Sequence, residues 1–191
     1  MSDRAFAETL AGAQDGEEQA VTVLWRAHHP RLLRVLASRH APDDVDDLAS
    51  EVWLRVTGSW HRFVGDESDF RAWFFTIAHS VSVDSYRRSS RCRETPTDDL
   101  FEECRAGNVD DTEVGAQESL GTSRAIALLA RLPREQSEAV ALRVIAGLDA
   151  ERVAEIMGKR PGNVRVLQHR GLRRLAELLE AERTVDTEAR R

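Results

Sequence analysis

Residues 149–175 read DAERVAEIMGKRPGNVRVLQHRGLRRL, and their pattern is that of two short helices joined by a tight turn. Asp149 is placed to cap the first helix, because a side-chain oxygen there can accept a backbone N–H that the first turn leaves unpaired. Ala154 supplies a small residue where the second helix must cross closely. Gly158, four residues on, supplies a turn position that tends to positive φ. Val153, Ile156, Val164, Leu167, Leu172 and Leu175 recur at helical spacing and are expected to fill the interior between the helices. The opposite face of the second helix shows Asn163, Arg165, Gln168, His169, Arg170 and Arg173. Amide and guanidinium groups can make paired hydrogen bonds to base edges in the major groove, and additional arginines neutralise phosphates. The pattern therefore predicts a DNA-reading helix-turn-helix. An ordinary helical hairpin with a solvated basic face is the plain alternative.

Outward from this stretch the chain stays helical. SLGTSRAIALLARL (119–132) and PREQSEAVALRVIAG (133–147) each carry helical periodicity, with Pro133 suited to a first turn. Toward the N-terminus, Val21, Leu24, Trp25, Leu32, Leu33, Val35 and Leu36 mark a helix in which Pro30 predicts a break or kink. Pro42 with Asp43 or Asp44 starts another, striped by Val45, Leu48, Val52 and Val56 and ended by Gly58 and Ser59. Residues 61–70 read as a loop. The helix that follows carries Phe70, Trp73, Phe74, Ile77 and Val81 toward a core and ends on Arg87 and Arg88. Trp60, Trp73, Phe74 and Phe75 are read as core residues. Over 91–118 periodicity fails, and Thr, Pro, Gly and acids read as a flexible linker. The fold class expected is all-α: an N-terminal segment (1–19), a helical domain (20–90), an acidic linker (91–118), a helix-turn-helix domain (119–180) and a frayed tail (181–191).

The bulk composition narrows the function. The 191 residues carry a net charge of −6, which by itself disfavours phosphate binding. The distribution matters more: acids crowd into 43–51 and 94–118, arginines into 87–93 and 159–174. No apolar run reaches the length of a membrane span, and the first 20 residues lack the basic start and apolar stretch of a secretory signal, so a cytoplasmic protein is expected. Two cysteines, Cys92 and Cys104, make no disulfide framework and show no zinc-ligand spacing. A carboxylate metal site at Asp43, Asp44, Asp46, Asp47 and Glu51 would need matching helices that the sequence does not show. No phosphate loop or nucleophile with an adjacent base is present. The expectation is a protein that is not an enzyme and needs no metal or cofactor.

Two groups of motifs together resemble the extracytoplasmic-function (ECF, group IV) sigma factors of the sigma-70 family. HHPRLLRVL, VDDLASEVWLRV and FRAWFFTIAHSVSVDSYRR resemble their second region; LARLPREQSEAVALRVIAGLDAERVAEIMG and NVRVLQHRGLRRL resemble their fourth. The resemblance implies a factor that binds core RNA polymerase and promoter DNA to start transcription, held in check by an anti-sigma factor. It implies docking on polymerase through Asp47, Leu48, Glu51, Val52 and Trp53. It implies reading of the −10 element through Gly65, Asp66, Glu67, Ser68, Asp69, Arg71, His79, Arg87 and Arg88. It likewise implies that the −35 element falls to Asn163, Arg165, Gln168, His169, Arg170 and Arg173, and that the acidic linker threads toward the RNA path. A conventional dimeric helix-turn-helix regulator is the competing reading. It leaves the acid-faced helix at 42–59 without a role.

Overall fold

The computed structural model describes residues 3–92 and 116–188. It consists of eight α-helices with no strand among the described residues: α1 (Asp3–Gln14), α2 (Glu18–Ala37), α3 (Pro42–Ser59), α4 (Glu67–Cys92), α5 (Ala116–Ala130), α6 (Arg134–Val140), α7 (Ala150–Met157) and α8 (Pro161–Glu188). A 3-10 turn, Trp60–Arg62, follows α3, and a π-helical turn, Ala141–Ile145, extends α6. Most of the linker expected over 91–118, with Cys104, lies outside the described residues.

The first half is a bundle of α1 to α4. Its centre is aromatic: Phe70 touches Phe6, His28, Phe63 and Trp73, and Phe74 meets Trp53 edge-on with ring centroids 5.1 Å apart. Burying each phenyl ring contributes about 2–3 kcal/mol, so this cluster is a large share of the bundle's stability. Trp60, Phe74 and Phe75 are core residues as read from the sequence. The segment before residue 20 also belongs here. Phe6, Leu10 and Ala13 of α1 are buried in this core, and the Gln14 amide donates to the carbonyls of Trp60 and Phe63.

Three local expectations need correction. α2 runs unbroken through Pro30, because burial of His28, Leu32, Val35 and Leu36 on one stripe outweighs the single backbone bond that proline cannot donate. α4 begins at Glu67 rather than Phe70, since Asp66 accepts from the Asp69 backbone N–H at 2.8 Å and starts the helix earlier. α8 continues to Glu188, where a tail was expected. Glu182 on that extension binds Arg124 and Arg131.

The second half wraps α5, α6 and α7 around α8. It packs directly on the first half. One apolar core runs from Phe6 and Phe70 through Leu36 and Ala78 to Leu142, Leu148, Val153 and Val164. A smaller cluster of Leu129, Leu132 and Val140 lies under Leu175 and Leu178.

Candidate nucleic-acid interface

The helix-turn-helix forms as its sequence predicts. Asp149 caps α7, its carboxylate accepting from the Arg152 N–H at 2.7 Å. Gly158 ends α7 at φ 63°, the left-handed conformation that favours glycine, while Ala154 is buried against the partner helix. On the inner side of α8 Val164 and Gly171 are buried and Leu167 and Leu175 half-buried. Leu172 departs from the expectation: it is 44% exposed and lines a groove, because Gly171 takes the close-packed position next to it.

Asn163, Arg165, His169, Arg170 and Arg173 share the solvent face of α8, and Val166 joins them. Arg165 is oriented by Glu151 of α7 at 2.5 Å, and Arg173 by Glu177 at 3.4 Å. Gln168 is placed differently. It is half-buried, and its amide oxygen accepts from Arg143 Nε at 3.1 Å. Arg143 also donates to the Leu148 carbonyl, so it braces the loop before α7 against α8. Arg143 sits in the π-helical turn, a position that α-helical periodicity does not reveal.

In the first half, the residues expected to read a single strand lie around the start and along one side of α4. Gly65, Asp66 and Ser68 are exposed at the helix start. Gly65 is a close approach: a Cβ there would lie 2.9 Å from Asp69 Cβ and 3.0 Å from Phe63 Cζ. Glu67 pairs with Arg71 at 3.5 Å. Asp69 pairs with Arg152 of α7, and Arg71 Nη1 donates to the Gly147 carbonyl at 3.4 Å. His79 Nδ1 donates to Glu138 Oε1 of α6 at 2.6 Å. Arg87 and Arg88 are exposed on the last described turns of α4, and Arg88 lies 3.2 Å from Glu51.

Glu138 was not anticipated from the sequence, although a lone acid in line with Leu142 on the apolar side of α6 was the available signal. Its buried carboxylate also pairs with the buried Arg39 guanidinium of α2. Burial pushes this carboxyl up, but the His79 hydrogen bond and the Arg39 charge outweigh it and hold it below the usual glutamate value. Burial likewise pushes Arg39 below the ordinary arginine range. Nearby, His40 is hydrogen-bonded to Ser82 and lowered to about 4 by burial and by Arg39 and Arg134. His28, enclosed by Phe70 and Phe74, is lowered to about 4 by burial and by Arg31 and Arg71.

The acid-faced α3 splits its expected polymerase-binding residues. Asp47 is exposed; Glu51 is half-buried and bound to Arg55 at 2.6 Å. Leu48 and Val52 are in the core, because they share the inward stripe with Val45 and Val56. Trp53 is half-buried, its Nε1–H donating to His29 Nδ1 at 3.2 Å. The apolar residue that α3 does present to solvent is Leu54, 73% exposed.

A groove of about 1150 Å³ opens between α2, α5 and α8. Its floor is Ile126, Leu129, Val140, Ile145 and Leu175, and Arg31, Arg34 and Arg124 stand at its rim. No cluster of metal-binding side chains occurs among the described residues, and none of the described helices is long and apolar enough to cross a membrane.

These two helical halves correspond to two regions of one class of transcription initiation factor: residues 24–92 match Sigma-70 region 2 and residues 123–175 match Sigma-70, region 4. The ECF RNA polymerase sigma factor ShbA of Streptomyces griseus is 36% identical over 88% of this chain and 92% of its own length. The ECF RNA polymerase sigma factor SigD of Mycobacterium tuberculosis is 31% identical over 94% of this chain and 84% of its own. The chain belongs to the ECF RNA polymerase sigma factors. Its fold is shared with RpoE of Bartonella quintana, solved with the anti-sigma factor NepR (TM-score 0.65, 21% identity, 87% of this chain and 98% of that one). It is shared also with CnrH, solved with the cytosolic domain of CnrY (TM-score 0.61, 24% identity, 94% and 97%).

Proposed function

We propose that this sigma factor, of the group IV subclass, acts in the cytoplasm and directs core polymerase to promoters through three surfaces, without catalysing a reaction itself. The α8 face of Asn163, Arg165, His169, Arg170 and Arg173 reads the −35 element in the major groove. Gln168 contributes by bracing through Arg143. The start of α4, with Arg71, His79, Arg87 and Arg88 along it, reads the −10 element as the strands part; unpaired bases there offer both edges and faces to be gripped. Asp47, Glu51 and Leu54 of α3 dock on polymerase, where complementary charge sets orientation and association rate. The observation that carries the reading is the union, in one chain, of a capped helix-turn-helix with an exposed guanidinium face and a separate helix with an exposed acid face.

The fold shared with RpoE, solved in complex with the anti-sigma factor NepR, supports control of this chain by a protein of the same kind. The groove between α2, α5 and α8 suits such a partner, because an amphipathic helix bearing acids would cover Leu129 and Leu172 and face the rim arginines. In-vitro transcription with core polymerase on a genomic promoter library tests the function. Chain-dependent start sites sharing two spaced sequence elements are the expected result. A folded chain that neither binds core polymerase nor yields any such start sites rules the function out.

A further inference from the structure

The N-terminal helix α1 has a hold on the stretch that precedes α4. The Gln14 side-chain amide, with two hydrogens on one nitrogen, donates to the Trp60 carbonyl at 2.7 Å and to the Phe63 carbonyl at 3.1 Å. Those two carbonyls bracket the 3-10 turn, which the Phe63 N–H also closes onto the Trp60 carbonyl at 2.9 Å. The Phe63 ring is fixed as well, edge-on to Phe70 and against Trp73. Phe70 in turn meets Phe6 of α1 at 5.6 Å between ring centroids, so α1, the turn and the start of α4 converge on one ring. On the far side, Asp66 is anchored by the Asp69 N–H at 2.8 Å. Between these two anchors stand Val64 and Gly65, both exposed, Val64 at 93%.

We infer that Gln14 is a positioning residue for strand capture: it holds the stretch 61–66 in the shape that receives the unpaired −10 strand, although it touches no DNA itself. This rests on the −10 assignment made above. A surface loop that orders itself only on binding loses affinity to the entropy of that ordering, and a loop tied down beforehand avoids the loss. Gln14 ties both ends of the turn with a single group. Without its amide the Phe63 carbonyl loses that donor, and the approach to Val64 is held by the Phe63 ring and the turn's own backbone bond. What the tie fixes is where Val64, Gly65 and Asp66 stand when a base arrives.

The test uses the full chain with core polymerase on the promoter library. Gln14→Met keeps the length and helix preference of the side chain and removes both N–H donors, whereas Gln14→Lys keeps donors on a longer stem. The Gln14→Met chain is expected to stay folded by circular dichroism and to bind polymerase as the parent does. It should initiate about tenfold less, in keeping with the loss of two hydrogen bonds. Its base preference flattens at the −10 element and is unchanged at the −35 element, and hydrogen exchange rises over residues 63–66. Gln14→Lys restores most of the −10 preference. A general loosening of the fold would instead lower polymerase binding and −35 preference together, and that pattern overturns the inference. Unchanged exchange over 63–66 in Gln14→Met overturns it too, since the amide would then not be holding the loop. Raised exchange with an unaltered −10 preference overturns the −10 assignment and the inference with it. A parent chain that neither binds polymerase nor initiates overturns the reading as a promoter-directing factor, a result the exchange measurement does not depend on.

Discussion

Gly171 of α8 lies directly against Val140 at the end of α6: a Cβ built on Gly171 would stand 2.7 Å from Val140 Cγ2. Val140 is buried and branched at Cβ, so it has little room to turn aside. The contact sets how closely α8 approaches the rest of its domain. Gly171→Ala gains about 1 kcal/mol of helix propensity, but forcing a methyl into a filled interior costs about 1–3 kcal/mol. A net loss of stability is expected, measured as a lower thermal midpoint, with Val140→Ala in the same chain recovering part of it. Gly171→Ala melting at or above the parent temperature would show the helix free to move outward.

If α8 reads bases as proposed, the effect of substitution should differ by position along it. Arg165→Ala is expected to weaken binding to the −35 element by about 1–3 kcal/mol. Gln168→Ala should cost less, since its amide oxygen already serves Arg143. Arg170→Ala should lower affinity for all sequences alike and flatten the salt dependence by about one phosphate contact. Competition binding at several salt concentrations checks all three, and equal losses for Arg165 and Gln168 would contradict the ranking.

On α3, Leu54→Asp is expected to reduce polymerase affinity about tenfold while leaving the unfolding midpoint unchanged, because the side chain is in solvent. Leu48→Asp puts an unpaired carboxylate in the core and should unfold the first half. Polymerase pull-down alongside circular dichroism distinguishes the two effects. Asp47→Lys should resemble Leu54→Asp.

Acid should destabilise the fold before carboxylates begin to protonate. His28 and His40 ordinarily titrate near 6.5 and are lowered to about 4 in the fold, so the unfolded chain binds more protons between those values. Their contribution is complete above pH 6.5 and is lost as pH falls toward 4, on the order of 3 kcal/mol for each. Glu138, held below its usual value, adds a loss at still lower pH, as it is protonated. Urea unfolding at pH 7, 5.5 and 4.5 measures this slope. His28→Leu, whose ring Nδ1 has no hydrogen-bond partner to lose, should flatten it.

What the sequence revealed was chiefly what local spacing encodes. The α3 stripe of Val45, Leu48, Val52 and Val56, the Asp149 cap and the Gly158 turn all depend on neighbours within a few residues, and each stands in the structure as expected. The burial of Leu48 and Val52 is a separate matter from their motif match. Matching a motif does not say which way Leu48 and Val52 point, and their own helical stripe turns them inward. Gln168 was misjudged as freely exposed because its partner, Arg143, lies on a π-helical turn that shifts the register. Glu138 and Arg39 are 99 residues apart, and no periodicity within one helix connects them. Placing α1 in the core likewise required knowing that Phe6 meets Phe70.

The aromatic cluster has an optical consequence. All four indoles, at positions 25, 53, 60 and 73, belong to the first half, and the second half from α5 onward has none. Ultraviolet emission from the native chain therefore follows one half alone, and any spectral change caused by a substitution in α6 or α7 must have been transmitted through the contact between them.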